Sequence, residues 1–246
     1  MTHFVIPYKI PENPVFGWEL MFCLRGIEKY YKDPYDITLI GECPTWLNRS
    51  SLNFIENIHR DKNLPIQGKI ASHYLIASEI YENFIVIHDD MYMVNECSFD
   101  DFKIPKYIED KLFYSFSDEE TLNLNKFQKS IRNTWKILKD NQLPYSKNFI
   151  AHYPFFIESD KIKEIHKKFN LTNKYPFENL YYNYFKENGE YIKNYKSGHY
   201  YAEDDSINSK AKILNHDEMG FIYQPWIINL LYKLFPEPSK YEISRT

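Results

Sequence analysis

The chain has 246 residues, 43% hydrophobic and 26% charged, proportions that fit a globular α/β domain and exclude intrinsic disorder. A net charge of −4 and a pI of about 6.1 exclude a global positive field that would gather nucleic acid. Three well-separated cysteines, Cys23, Cys43 and Cys97, match neither a disulfide framework nor a zinc ligand set, and the opening residues lack the basic segment and apolar run of a signal peptide. No apolar stretch approaches the roughly 18 residues of a membrane span, so a cytoplasmic protein is expected.

In chain order, residues 3–8 form a short apolar run stopped by Pro7 and Pro11, which reads as a buried first strand. Residues 18–31 place Leu20, Cys23, Leu24 and Ile27 at helical spacing, and Asp33-Pro34 ends that helix. A second β-rich run covers 37–41. Strand, helix and strand over so short a length suggest a crossover between parallel strands. Asn48-Arg-Ser-Ser51 supplies cap chemistry for a helix or irregular segment reaching about 61, and 68–81 reads as a stronger helix with Ile70, Tyr74 and Ala77 aligned.

Phe84-Ile-Val-Ile87 then reads as a central strand, and it stops abruptly in His88-Asp89-Asp90. An edge strand at 91–94 and a long helix over 121–141 follow, the helix with Leu122, Phe127, Ile131, Trp135 and Leu138 near one face. A strand is predicted over 148–157, interrupted by His152-Tyr-Pro154, and helices over 159–169, 176–187 and 224–234. Residues 194–208, with Glu203, Asp204 and Asp205, read as a solvated surface loop. No repeat or linker divides the chain. One domain over 1–246 is expected, in two parts, 1–118 and 119–246.

In open α/β sheets, ligands collect at the carboxyl ends of the strands, where loops and helix N-termini converge. Adjacent carboxylates disfavour joint ionisation, and a divalent cation removes that cost. One or two carboxylates plus the phosphates of a substrate suit Mg²⁺ or Mn²⁺. An apolar strand ending in Asp89 and Asp90 is therefore the form a metal–diphosphate site takes, although an Asp pair equally serves as a cap and a solvated turn.

Arg25 and Lys69 are cations that could meet a diphosphate, or be ion-paired or solvated. His152 interrupts an apolar strand, where it serves either as a base or as a satisfied turn histidine. Asn215-His216-Asp217 is a further polar cluster, able to complete a metal shell or simply to form a turn. His59, His73 and His166 sit on predicted helices without partner motifs.

The order of several segments carries a family resemblance. Asn13-Pro-Val-Phe-Gly-Trp-Glu-Leu20, Leu24-Arg-Gly-Ile-Glu-Lys-Tyr30, Pro44-Thr-Trp-Leu47 and Phe84-Ile-Val-Ile-His-Asp-Asp-Met91 together resemble the second conserved region of the Stealth-type sugar-phosphate transferases and the related GT-A glycosyltransferases. His152-Tyr-Pro-Phe155 resembles that family's third region. Leu214-Asn-His-Asp217 and the ending Leu234-Phe-Pro-Glu-Pro-Ser-Lys-Tyr-Glu242 resemble its fourth. The opening strand lacks the family's first region, and the arginine expected after the His-Pro segment has no counterpart near 176–184.

The resemblance implies a GT-A-like α/β fold with a mixed, mainly parallel sheet and a helical C-terminal portion. It makes Asp90 a metal ligand and Asp89 a second holder of the ion or donor sugar. Pro7, Tyr8 and Lys9 would lie against the nucleotide base, with 1–118 as the donor-binding part and 119–246 as the acceptor side; independently of the resemblance, Arg25, Lys69 and His88 are expected near the donor. His152 and Asp217 are the expected catalytic groups, and His216 a further metal ligand.

The expected function is Mn²⁺- or Mg²⁺-dependent transfer of a sugar from a nucleotide sugar, with a UDP-sugar as the expected donor, to a saccharide or other hydroxyl acceptor in polysaccharide biosynthesis. The alternatives are sugar-1-phosphate transfer, glycosylation of DNA bases, and a non-catalytic sugar-binding module. Nucleic acid is possible as an acceptor but not favoured.

Overall fold

The computed structural model describes residues 1–13, 17–57, 65–110, 124–143, 147–171, 176–192, 211–215 and 226–243. The first half follows the expected alternation. Strand β1 (Thr2–Tyr8) leads to α1 (Glu19–Tyr30), β2 (Tyr35–Gly41), β3 (Asn53–Glu56), α2 (Ile66–Ser78), β4 (Asn83–Val86) and β5 (Met91–Met93). After it come α3 (Asp100–Lys103), β6 (Lys106–Tyr107), α4 (Lys126–Asp140), β7 (Phe155–Glu158), α5 (Ser159–Phe169), α6 (Phe177–Tyr184), β8 (Glu190–Tyr191), β9 (Ile213–Asn215) and α7 (Trp226–Leu234).

The main sheet has the order β3-β2-β1-β4-β7, the first four strands parallel and β7 antiparallel to β4. It is flanked by helices on both faces, so its inner strands are apolar on both sides instead of alternating with polar residues. Along β1, Phe4, Ile6 and Tyr8 join the cluster that contains Leu20, Leu24 and Ile27 of α1 and Ile227 and Leu231 of α7. Val5 points the other way, into Ala71, Tyr74 and Ala77 of α2 and Ile162 and Ile165 of α5. No helix among the described residues is long and apolar enough to cross a membrane.

Two close approaches fix the upper rim of the sheet. Gly41 has φ +136°, and a Cβ there would lie 1.9 Å from the Tyr8 carbonyl oxygen, so only glycine ends β2 beside β1 in this way. Gly26 lets α1 come down on Met93 of β5, where a Cβ would meet backbone N and O at 2.9 Å.

The sequence reading needs correction in two places. The helix or irregular segment expected from Asn48 to about 61 is, over its described part to 57, a single 3-10 turn at Arg49–Ser51, capped by the Asn48 side chain, and then the edge strand β3. Four partly exposed residues at a sheet edge carry too little apolar pattern to be told from a loop. The strand expected over 148–157 survives only as β7, because a left-handed His152 (φ +47°) and Pro154 break it. The loop expected over 194–208 lies outside the described residues.

Candidate active site at the end of the central strand

Strand β4 continues its ladder one residue further, the Ile87 N–H donating to the Val5 carbonyl. The chain then reverses. The His88 carbonyl accepts from the Met91 N–H at 3.1 Å and from the Cys23 thiol at 3.5 Å, closing a four-residue turn with Asp89 and Asp90 as its central pair. Met91 opens β5, which pairs antiparallel with β9. The two carboxylates therefore stand at the carboxyl end of an interior strand, next to the end of β1.

Asp90 Oδ2 lies 2.8 Å from His152 Nε2, and the two side chains are only 22% and 24% exposed. His88 Nε2 lies 3.0 Å from the buried Tyr74 hydroxyl of α2. Burial drives the His88 pKa down to about 4; Asp90 pulls it back up and His152 pushes it down further, so at neutral pH His88 is uncharged.

Asp89 moves the other way. Burial first, and then the Asp90 carboxylate, push it above the ordinary range, against backbone N–H donors of the turn and His152. Burial also raises Tyr8, with Asp89 and then Glu19 adding to it, and it raises Tyr92 with help from Glu19, Asp90 and Asp89. Glu19 and Asp89 thus act on both buried hydroxyls, and Asp90 on that of Tyr92.

The structure brings His152 to the turn by an unusual backbone. A left-handed residue with a side chain costs roughly 1–2 kcal/mol. Here the Asn215 amide donates to the His152 carbonyl at 2.6 Å from β9. Glu178, in the first turn of α6, also belongs to this group: burial raises it, and the pull of its own N–H and of His152 only partly offsets that. Sequence reasoning missed Glu178, Tyr74 and Glu19. An acid in a helix's first turn reads as dipole compensation, and a tyrosine in an apolar stripe reads as core, so neither carried a distinguishing signal.

Not every expected contact forms. Arg25 is turned away from the turn and committed elsewhere. Its Nε and Nη2 donate to the two oxygens of Glu242 at 2.7 and 2.6 Å, and its Nη1 to the Phe235 carbonyl at 2.7 Å. The expectation that it meets a diphosphate is replaced by a buried fork that ties the C-terminal segment to α1. The Leu47–Glu242 bridge and the Ile243 N–H to Trp46 carbonyl bond extend the same seam.

Pro7 is buried opposite Ile40, and Lys9 is exposed beside Glu12. Lys69 sits near the start of α2, which leads at its other end into β4. That topology places Lys69 at the carboxyl end of the sheet. His216 and Asp217 lie outside the described residues.

Asp89 and Asp90 fit a divalent cation by their chemistry. Two oxygen donors are crowded where ionising both is costly, and a 2+ charge relieves the repulsion. Among the described residues no group of three or more His, Cys, Asp or Glu makes a ready shell. Further positions would fall to phosphate oxygens and water, as is usual for Mg²⁺. No family model matches the chain, and no curated protein matches it.

Proposed function

We propose that this chain is a GT-A-like glycosyltransferase of the cytoplasm that moves a sugar from a nucleotide sugar to a hydroxyl acceptor. The observation that carries this reading is the Asp89-Asp90 turn at the end of β4 with His152 seated on Asp90 at 2.8 Å. A cation held by Asp89 and Asp90 would neutralise charge on the departing diphosphate. His152 has the part of the base. With its Nε2–H held by the Asp90 carboxylate, a neutral imidazole keeps Nδ1 as the nitrogen that takes a proton from the acceptor hydroxyl. Neutral His88, braced by Tyr74, stands beside the carboxylates without adding charge. Tyr8 at the end of β1 closes the side on which the donor would enter, and Lys69 lies at the same end of the sheet to meet phosphate.

A thermal-shift panel of nucleotide sugars with and without Mn²⁺ tests the reading, repeated on Asp89→Ala and Asp90→Ala. A donor at 100 times its Kd should add about 2.7 kcal/mol to the wild type, and nothing to either variant. The nucleotide released on turnover then separates the chemistries. A nucleoside diphosphate marks glycosyl transfer, and a monophosphate marks transfer of the sugar phosphate. Absence of any Mn²⁺-dependent shift across the panel would leave a non-catalytic module.

A further inference from the structure

Four residues other than glycine have positive φ among those described: Gln142, His152, Asn170 and Lys186. Asn170 caps α5, and Gln142 and Lys186 each lie two residues beyond the last residue of a helix, α4 and α6. A left-handed residue is the ordinary way to stop a helix, so those three have a local cause. His152 follows no helix. A bulky residue keeps such a backbone only where its surroundings over-determine it.

The restraint on His152 comes from a strand 63 residues further along the chain. Asn215 is 2% exposed, lies directly opposite Met91 in the β5–β9 ladder, and sends its amide to the His152 carbonyl at 2.6 Å. Met91 is bonded covalently to Asp90, and Asp90 Oδ2 is 2.8 Å from His152 Nε2. These contacts close a ring that runs from Asp90 to Met91, across the ladder to Asn215, through the amide to His152, and back to Asp90. Cutting the amide link leaves the carbonyl without that donor and the backbone without that reason to stay left-handed.

We infer that Asn215 is a positioning residue, whose amide clamps the His152 carbonyl and so aims the imidazole at Asp90. An amide is required at this position. A carboxylate would set acceptor against acceptor, and an apolar side chain would supply no donor to the carbonyl. The consequence for turnover rests on the proposed transfer reaction, but the clamp itself can be read without turnover.

The test is proton NMR of the full chain. An imidazole N–H donated to a carboxylate exchanges slowly and resonates far downfield, and His152→Gln assigns the signal. Asn215→Ala and the isosteric Asn215→Asp should each lose that resonance while still melting cooperatively. Turnover should then fall about 10²-fold with the donor KM little changed, since misplacing a reacting group by about 1 Å costs that much.

Persistence of the downfield proton in either folded variant overturns the clamp. Loss of the proton with turnover intact keeps the clamp and sinks the transfer role of His152 instead. Should neither variant fold, the wild-type Asn215 side chain decides. At least one of its amide protons must exchange far more slowly than those of a free primary amide, and free exchange at both overturns the inference.

Discussion

Arg25 and Glu242, which lie 217 positions apart, meet as a two-pronged ion pair whose side chains are 9% and 11% exposed. Ser239 adds its backbone N–H and its hydroxyl to the same carboxylate at 2.8 and 2.9 Å. The last described segment is thereby fastened to α1 through buried charge.

Removing one partner leaves the other charge buried and unpaired, which costs about 3–5 kcal/mol. Glu242→Gln should therefore lower Tm by roughly 6–20 °C in a thermal melt, at about 2–4 °C per kcal/mol for this chain length. Arg25→Met with Glu242→Leu should recover much of that loss. Burial alone would raise Glu242, but the hydrogen bonds from Arg25 and Ser239 outweigh it and hold the group below its ordinary value of 4.5. A depressed carboxyl stabilises the fold above its unfolded value, and that contribution is lost as pH falls through the folded one. The difference between wild type and Glu242→Gln should be level from pH 6 to 8 (about, given the slope of such linkage) and should shrink below about 4.5. A difference that grows on acidification would refute the pairing.

Asp89 presents the opposite sign. Its pKa is raised by burial and by Asp90, so the folded state binds a proton more readily than the unfolded chain, and stability falls as pH climbs from the ordinary value of 3.8 toward the raised one. Asp89→Asn should thus match or exceed the wild-type Tm at neutral pH without added metal, and should lose that advantage in acid. The same variant should fail to gain stability from Mn²⁺. Thermal melts at several pH values, with and without Mn²⁺, check both statements; a variant less stable than wild type at neutral pH counts against the crowded pair.

Gly41→Ala tests the rim that seats Tyr8. The added Cβ would fall 1.9 Å from the Tyr8 carbonyl oxygen, at a φ of +136° that side chains avoid. Since the obstacle is backbone, it cannot rotate away, and a loss of about 3 kcal/mol or more is expected in urea unfolding. Gly41→Ala with wild-type stability would mean that β2 ends differently.

Glu178 sits in the field of His152 although nothing in its local sequence sets it apart. Glu178→Gln, which keeps the shape and removes the charge, should reduce kcat by about tenfold or more with little change in Tm. Equal kcat in steady-state kinetics would remove Glu178 from the site.

The sequence by itself determined the parallel α/β core. Runs such as Phe84–Ile87 are apolar at every position, and only a strand covered on both faces uses such a run; the helical stripes of α1, α2 and α5 supply the cover. It also marked the end of that strand, the place where open α/β sheets generally gather ligands, because His88, Asp89 and Asp90 interrupt the apolar run. The short edge strand β3 escaped notice, since its four residues have neither length nor alternation to separate them from a turn. What Arg25 touches was open in the sequence, which allowed both a phosphate and an ion pair, and only the return of the chain at Glu242 chose between them. The same holds for the clustering of Asp90, His152, Asn215 and Glu178. A local pattern reports which face a residue turns inward, whereas partners 26 to 63 positions apart are chosen by how the layers close over the sheet, and no periodicity along the chain records that choice.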